Sequence, residues 1–260
     1  LIIALALGGY ALTSEDSDAD GPDGPGPEAA PTAPAEPQNL KARAKPFEVT
    51  LAWKEGAEGL ETQKFLVYRD DSRIGEVTKT SFRDTGVFPD AKYRYEVEAV
   101  ARDGTVSEAR ARVLVRTLAA PPSTARLSGD YLVVFDRTND FGFSSTGRDR
   151  FKLTWFLKPN CPDGPCTTVM SGDDRIDAKI TLRLTGGTYA GGSQVPFLAR
   201  CGSTRTGGAV NIRLRPTEAK TGSQGWKVFR FEGTVTDRSP AQSGCVSAGT
   251  DWKIEGRLVS

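Results

Sequence analysis

No histidine occurs in this sequence. That removes the commonest general base, the Ser–His and Cys–His nucleophile pairs, and the commonest metal ligand. Catalysis would have to run on carboxylates. Asp173, Asp174 and Asp177 cluster after Gly172, and two carboxylates can act as acid and base or hold a cation. Asp136, Asn139 and Asp140 form a second polar group. Polar loops between strands account for both groups more simply. No nucleophile motif accompanies either, so the sequence leans away from an enzyme and points to no catalytic residue, no metal and no cofactor.

The four cysteines are Cys161, Cys166, Cys201 and Cys245. Four cysteines allow three connectivities. The run Cys161-Pro162-Asp163-Gly164-Pro165-Cys166 is a tight turn whose ends lie close together. A local 161–166 bridge is natural there and leaves 201–245, although spacing alone keeps the other pairings open. Structural zinc favours paired short CxxC knuckles, which are missing here. Disulfides imply an oxidising compartment. Among the aromatics, Tyr131, Trp155, Tyr189, Trp226 and Trp252 could form a sugar-stacking or pocket-lining set. Trp155 is in phase with Leu153 and Leu157, and Trp252 with Ile254, which places both in a core. Trp226 and Val228 are out of phase with Phe229 and Phe231, so one pair faces away from the core unless a bulge intervenes. Trp226 and Tyr189 are therefore the expected ligand-facing aromatics.

These residues need elements to position them. At 38% hydrophobic and 26% charged the chain is lean but globular, and its polar excess is localised. Residues 1–12, LIIALALGGYAL, are apolar and uncharged. As a helix they span about 18 Å, short of a hydrocarbon core of about 30 Å. They read as part of a transmembrane helix or of a signal segment. Residues 13–35 are dense in Asp, Glu, Pro, Ala and Gly with no Lys or Arg, the composition of a disordered acidic linker. The overall charge of +1 calls for neither nucleic acid nor a membrane surface. Residues 119–260 nevertheless carry 19 basic against 13 acidic side chains.

Beyond the linker the chain reads as all-β. Phe47, Val49, Leu51 and Trp53 alternate with polar residues, as do Tyr93, Tyr95, Val97 and Ala99 against Arg94, Glu96 and Glu98, the period of half-buried strands. Short strand-like pieces recur at 65–69, 75–78, 81–84 and 109–115, with Asp103-Gly104 as a hairpin turn. Asn39-Leu40, Trp53, the run Ser81-Phe82-Arg83-Asp84-Thr85, and the stretch from Val87-Phe88-Pro89-Asp90 through Tyr93-Arg94-Tyr95 to Val100 together resemble a fibronectin type III domain over residues 36–118. The resemblance implies an immunoglobulin-like sandwich with Trp53 in its core. It also implies a corner tyrosine at Tyr93, bonded to backbone near Val87. Such modules mostly bind or space other domains, and in bacteria they often accompany carbohydrate-active enzymes.

Residues 119–124, with Pro121-Pro122, read as a short stiff linker. Residues 125–260 alternate at 131–135, 151–157, 180–184, 210–214 and 252–258, and no stretch shows helical periodicity. Gly186-Gly187 suits a hairpin. Gly233 and Gly256 lie inside strand patterns, marking bends or close backbone approach. A small antiparallel barrel, or else a sandwich, with disulfides is expected. The whole reads as a membrane-anchored or secreted bacterial protein acting outside the cell as a non-catalytic binding or spacer module. The alternatives are an accessory region of a polysaccharide-degrading protein and the sensor end of a receptor. The expected partner is an envelope glycan or another extracellular protein, not nucleic acid. The membrane is reached only through residues 1–12.

Overall fold

A computed structural model describes residues 32–142, 148–172, 179–242 and 244–259. The apolar amino-terminal segment, most of the acidic linker, and Asp173, Asp174 and Asp177 lie outside the described residues. No helix among the described residues is long and apolar enough to cross a membrane. Apart from one 3-10 turn, Pro122–Thr124, every regular element among the described residues is a strand.

The first seven strands form two facing sheets. One contains Gln38–Lys45 (β1), Glu48–Lys54 (β2) and Ser81–Asp84 (β5). The other orders Ser72–Val77 (β4), Thr62–Arg69 (β3), Lys92–Ala101 (β6) and Ala111–Arg116 (β7). This is a fibronectin type III-like sandwich. Val49, Leu51 and Trp53 from one sheet meet Phe65, Val67, Tyr95 and Val97 from the other, and Trp53 packs edge-on against Phe65. The Phe88 N–H donates to the Tyr93 hydroxyl at 2.8 Å, which pins the crossover before β6. Tyr95 donates to Asp84 at 2.7 Å, and Arg69 contacts the same carboxylate at 2.7 Å, so the buried acid keeps partners. Pairing begins before residue 36, because the Leu60 N–H donates to the Ala33 carbonyl.

Two features differ from the alternation pattern. Strand β1 had no clear signal, because its inward residues are Leu40 and two small alanines, Ala42 and Ala44. Glu96 and Glu98 point away from the core yet are buried. Arg110 pairs with both, Tyr68 donates to Glu98 at 2.9 Å, and the Arg110 guanidinium lies 3.9 Å over the Tyr68 ring. The long Arg stem covers the outer face while its charge satisfies the acids.

The remaining eight strands close a barrel. In chain order they are Gly129–Phe141 (β8), Arg150–Pro159 (β9), Thr168–Ser171 (β10), Ile180–Thr185 (β11), Thr188–Cys201 (β12), Thr204–Gly222 (β13), Gly225–Ser239 (β14) and Ala248–Leu258 (β15). Each pairs antiparallel with the next, and β15 returns to β8. Closure removes both sheet edges. Trp155, Tyr131, Tyr189, Ile212 and Ile254 fill the interior, while Ala125 and Leu127 enter it from the segment between the 3-10 turn and β8. The Arg126 N–H donates to the Trp226 carbonyl, and Val228 donates back to Arg126.

The glycines inside strands sit where a neighbouring strand or ring comes close. A methyl group on Gly233 would lie 2.1 Å from the Arg213 carbonyl of the paired strand, and one on Gly256 would lie 2.1 Å from the Phe231 ring. The first clash is with backbone and cannot be relieved without opening β13 from β14. Gly233→Ala is expected to cost about 1–3 kcal/mol. A urea midpoint equal to wild type would show that the Arg213 carbonyl does not crowd that position.

The phase conflict at Trp226–Phe231 resolves as a bulge. Glu218 pairs with Arg230 and Ala219 with Val228, leaving Phe229 as the extra residue. Val228 and Phe231 then both face inward. Phe229 lies on the outside under Lys220, whose ammonium is 3.6 Å from the ring centre. Cys161 is bonded to Cys166 and Cys201 to Cys245. The first bridge is local to the β9–β10 turn, and the second ties the end of β12 to the β14–β15 connection.

Candidate functional site

The barrel's outer wall over β11 to β15 carries a row of side chains set by strand register. Arg183 on β11 pairs with Ala190 on β12, Ala190 with Arg213 on β13, Arg213 with Thr234 on β14, and Thr234 with Lys253 on β15. All five are exposed, because their strand neighbours Leu182, Leu184, Ile212, Leu214 and Ile254 pack into the barrel core and side chains alternate across a strand. The parallel row beside it holds Gly192, Asn211 and Thr236. The wall therefore presents a cation on every second strand, with small or hydrogen-bonding residues between.

Two shallow depressions, of about 410 and 560 Å³, meet at Arg213. Arg215, Glu232 and Lys253 border one, and Gly191, Gly192 and Asn211 the other. The glycines leave backbone uncovered, so the surface is concave where side chains would otherwise stand. Among the described residues, no acid pairs with Arg183, Arg213 or Arg215. Lys253 lies 3.4 Å from Glu255. The row ends at Asp136, which pairs with Lys253 in register and forms an ion pair with Arg150. Exposed, unpaired guanidinium groups are suited to binding carboxylate, sulfate or phosphate oxygens.

The aromatics expected to face a ligand lie elsewhere. Tyr189 is wholly buried in the barrel core, and burial raises its phenol above the ordinary value. It cannot stack on a sugar. Trp226 is half-buried, and its indole N–H donates to the Thr124 hydroxyl at 3.1 Å, so it seats the 3-10 turn against the barrel. Trp155 is buried, with Trp252 packed against the same core. The cysteines are structural. Asp136, Asn139 and Asp140 lie on strand β8, not in a loop. Asn139 donates to Asp251, and Arg137 pairs with Asp140. The wall cations had one visible signal in the sequence, their place in the polar phase of alternating strands. The alignment of Arg183 with Arg213 and Lys253 requires the register.

A second polar cluster occupies the barrel end that holds the Cys201–Cys245 bridge. Trp252 donates to Asp237 at 3.2 Å, Arg137 lies 5.4 Å over the Trp252 ring, and Arg238 bonds Asp251 at 2.5 Å. Burial raises the Asp237 carboxyl above its ordinary value, against the opposing Trp252 hydrogen bond. The folded state thus holds this proton more tightly than the unfolded chain. The resulting stability is present below the ordinary carboxylate pKa and is lost as pH rises through the elevated one. Asp237→Asn is expected to raise the barrel's Tm at pH 7 and to lessen its fall between acid and neutral pH. An identical pH profile of Tm in the variant would contradict this.

No family model matches the chain. A stretch of 94 residues is 35% identical to Exoglucanase B of Cellulomonas fimi, covering 36% of this chain and 9% of that protein. A stretch of 76 residues is 33% identical to an alpha-amylase of Niallia circulans, covering 29% of this chain and 6% of that protein. The chain therefore spans under a tenth of either relative. Among solved structures, the central fibronectin-III array of RIM-binding protein aligns with 86% of this chain and 98% of its own at 14% identity and a TM-score of 0.29. The chitinase ChiA74 from Bacillus thuringiensis aligns with 47% of this chain and 23% of its own, at 14% identity and a TM-score of 0.31.

Proposed function

We propose that this chain is an extracellular, non-catalytic accessory region of a polysaccharide-degrading protein. In this reading the barrel wall holds glycan and the fibronectin type III-like sandwich spaces it from its neighbours. The observation that carries it is the depression bordered by the exposed Arg213, Arg215 and Lys253, with hydroxyl, amide and bare backbone groups beside it. Sugar hydroxyls and acidic substituents match those groups. Both sequence relatives are named as polysaccharide-acting enzymes, and each shares only a domain-sized stretch with this chain, which is how an accessory module is distributed. Two disulfides suit an oxidising compartment. The apolar segment at residues 1–12 would act as a tether or leader on the outer face of a membrane.

The test is retention of the whole chain on insoluble acidic and neutral polysaccharides at low and high salt. Binding is expected to weaken with salt, as screened surface attraction does. It should fall about tenfold when Arg213 and Lys253 are both replaced by Ala, the loss of two charge-assisted contacts. Retention that ignores both substitutions would remove the wall from the binding surface. Turnover of any glycan by the chain would overturn the non-catalytic reading.

A further inference from the structure

We infer that the β13–β14 hairpin is a brace that docks on the sandwich and fixes its orientation to the barrel. This stands whatever the wall binds. Strand β12 pairs with β13 only as far as Leu214, and β15 pairs with β14 only from Arg230. Beyond those limits Ala219 pairs with Val228, Lys220 with Lys227, Thr221 with Trp226 and Gly222 with Gly225. The hairpin thus runs past the wall as a two-stranded arm, and such an arm is marginal in water by itself. At its base Arg126 supports it through the two backbone hydrogen bonds to Trp226 and Val228. At its tip the sandwich supports it. The Thr221 hydroxyl donates to the Pro89 carbonyl at 2.6 Å. A methyl group on Gly225 would lie 3.1 Å from the Phe88 ring, so the ring rests on hairpin backbone that carries no side chain. Gly225 also has a φ of +94°, a left-handed conformation that glycine adopts without strain.

The surface that receives the arm is set in advance. Tyr93 holds the Phe88 N–H, and the Phe88 carbonyl accepts from the Thr117 hydroxyl at 2.5 Å. The Asp90 N–H donates to the Leu118 carbonyl at 3.2 Å. The connection between the two domains leaves little freedom to remove. Leu118 still bonds to the sandwich, and the Pro121 carbonyl accepts from the Thr124 N–H at 2.9 Å within the turn seated on Trp226. Ala119 and Ala120 lie between. Ala120 precedes Pro121 and is confined to extended conformations, which leaves Ala119 as the main hinge. With one hinge to immobilise, a hydrogen bond and a ring contact suffice. The two cores remain separate clusters, so the brace sets orientation without merging their unfolding transitions.

The experiment measures backbone amide NMR relaxation in the whole chain and takes a rotational correlation time from the strands of each domain. The two domains are expected to share one value. In the double variant Phe88→Ala, Thr221→Ala the sandwich's value should fall to about two-thirds of the barrel's, because the smaller body turns faster once released. Thr221→Ala alone should move it part of the way. Val106→Ala, which shortens an exposed side chain elsewhere on the sandwich, should leave one shared value. Phe88 and Thr221 belong to neither core, so the indole signals of Trp53 and Trp155 should keep their positions in the double variant and report both domains folded. Two different correlation times in the unaltered chain would overturn the brace. One shared value that survives in the double variant would also overturn it, and would assign the fixed orientation to residues 119–124 instead.

Discussion

Trp53→Ala is expected to cost the sandwich about 3–5 kcal/mol and to leave the barrel's unfolding transition in place. Trp53 is 5% exposed and stands on β2, where the two sheets face each other. Its ring meets Phe65 from the opposite sheet at 5.3 Å. Truncation would remove the Trp53–Phe65 contact across the sheet interface and leave a void that short, paired strands cannot collapse to fill. A seven-stranded sandwich of ordinary size has a total stability of only about 5–15 kcal/mol. The loss should therefore appear as a separate early transition in calorimetry. The barrel core is a distinct cluster containing no residue of the Trp53 cluster, so its transition should stay where it was. One unshifted transition for the whole chain would mean that Trp53 does not bridge the sheets.

The second large effect concerns the bond between Cys201 and Cys245. The two residues are 44 positions apart, and closing a loop of that length stabilises a folded chain by about 4 kcal/mol in the chain-entropy account. The Cys161–Cys166 bridge closes a separation of 5 and is expected to contribute about 2 kcal/mol in the same account. The double variant Cys201→Ala, Cys245→Ala should thus lower the barrel's urea midpoint about twice as far as Cys161→Ala, Cys166→Ala. Because β12, β13 and β14 carry the central part of the cation row, the former variant should also lose glycan retention at a urea concentration where the latter retains it. Equal shifts for the two variants would show that the long loop is already constrained by barrel pairing in the unfolded ensemble.

Much of this protein is written in local pattern. The alternation around Trp53 and Tyr95 is a property of neighbouring residues, and burial of one face follows from it directly. Gly233 and Gly256 marked close approaches for the same reason, since a missing side chain inside a strand leaves room for a neighbour. The local Cys161–Cys166 turn could be read from chain geometry. Local pattern failed where the determining partner was distant. Strand β1 has only small inward residues, and it exists because β2 pairs with it. Glu96 and Glu98 are buried because Arg110 covers them, a relation between strands. Tyr189 looked available until the barrel closed around it.

The proposed binding surface belongs to that second kind. The sequence by itself determined that Arg183, Arg213 and Lys253 each occupy the polar phase of an alternating strand. It could not determine that the three stand in one row, because cross-strand register is decided by which residues pair. A slip of one residue would turn a strand's side chains to the opposite face. That register is set by closure of β15 onto β8, by the bulge at Phe229 and by the close approaches that the strand glycines allow. A cation's chemistry is a property of its residue, whereas the distance between cations is a property of the closed barrel.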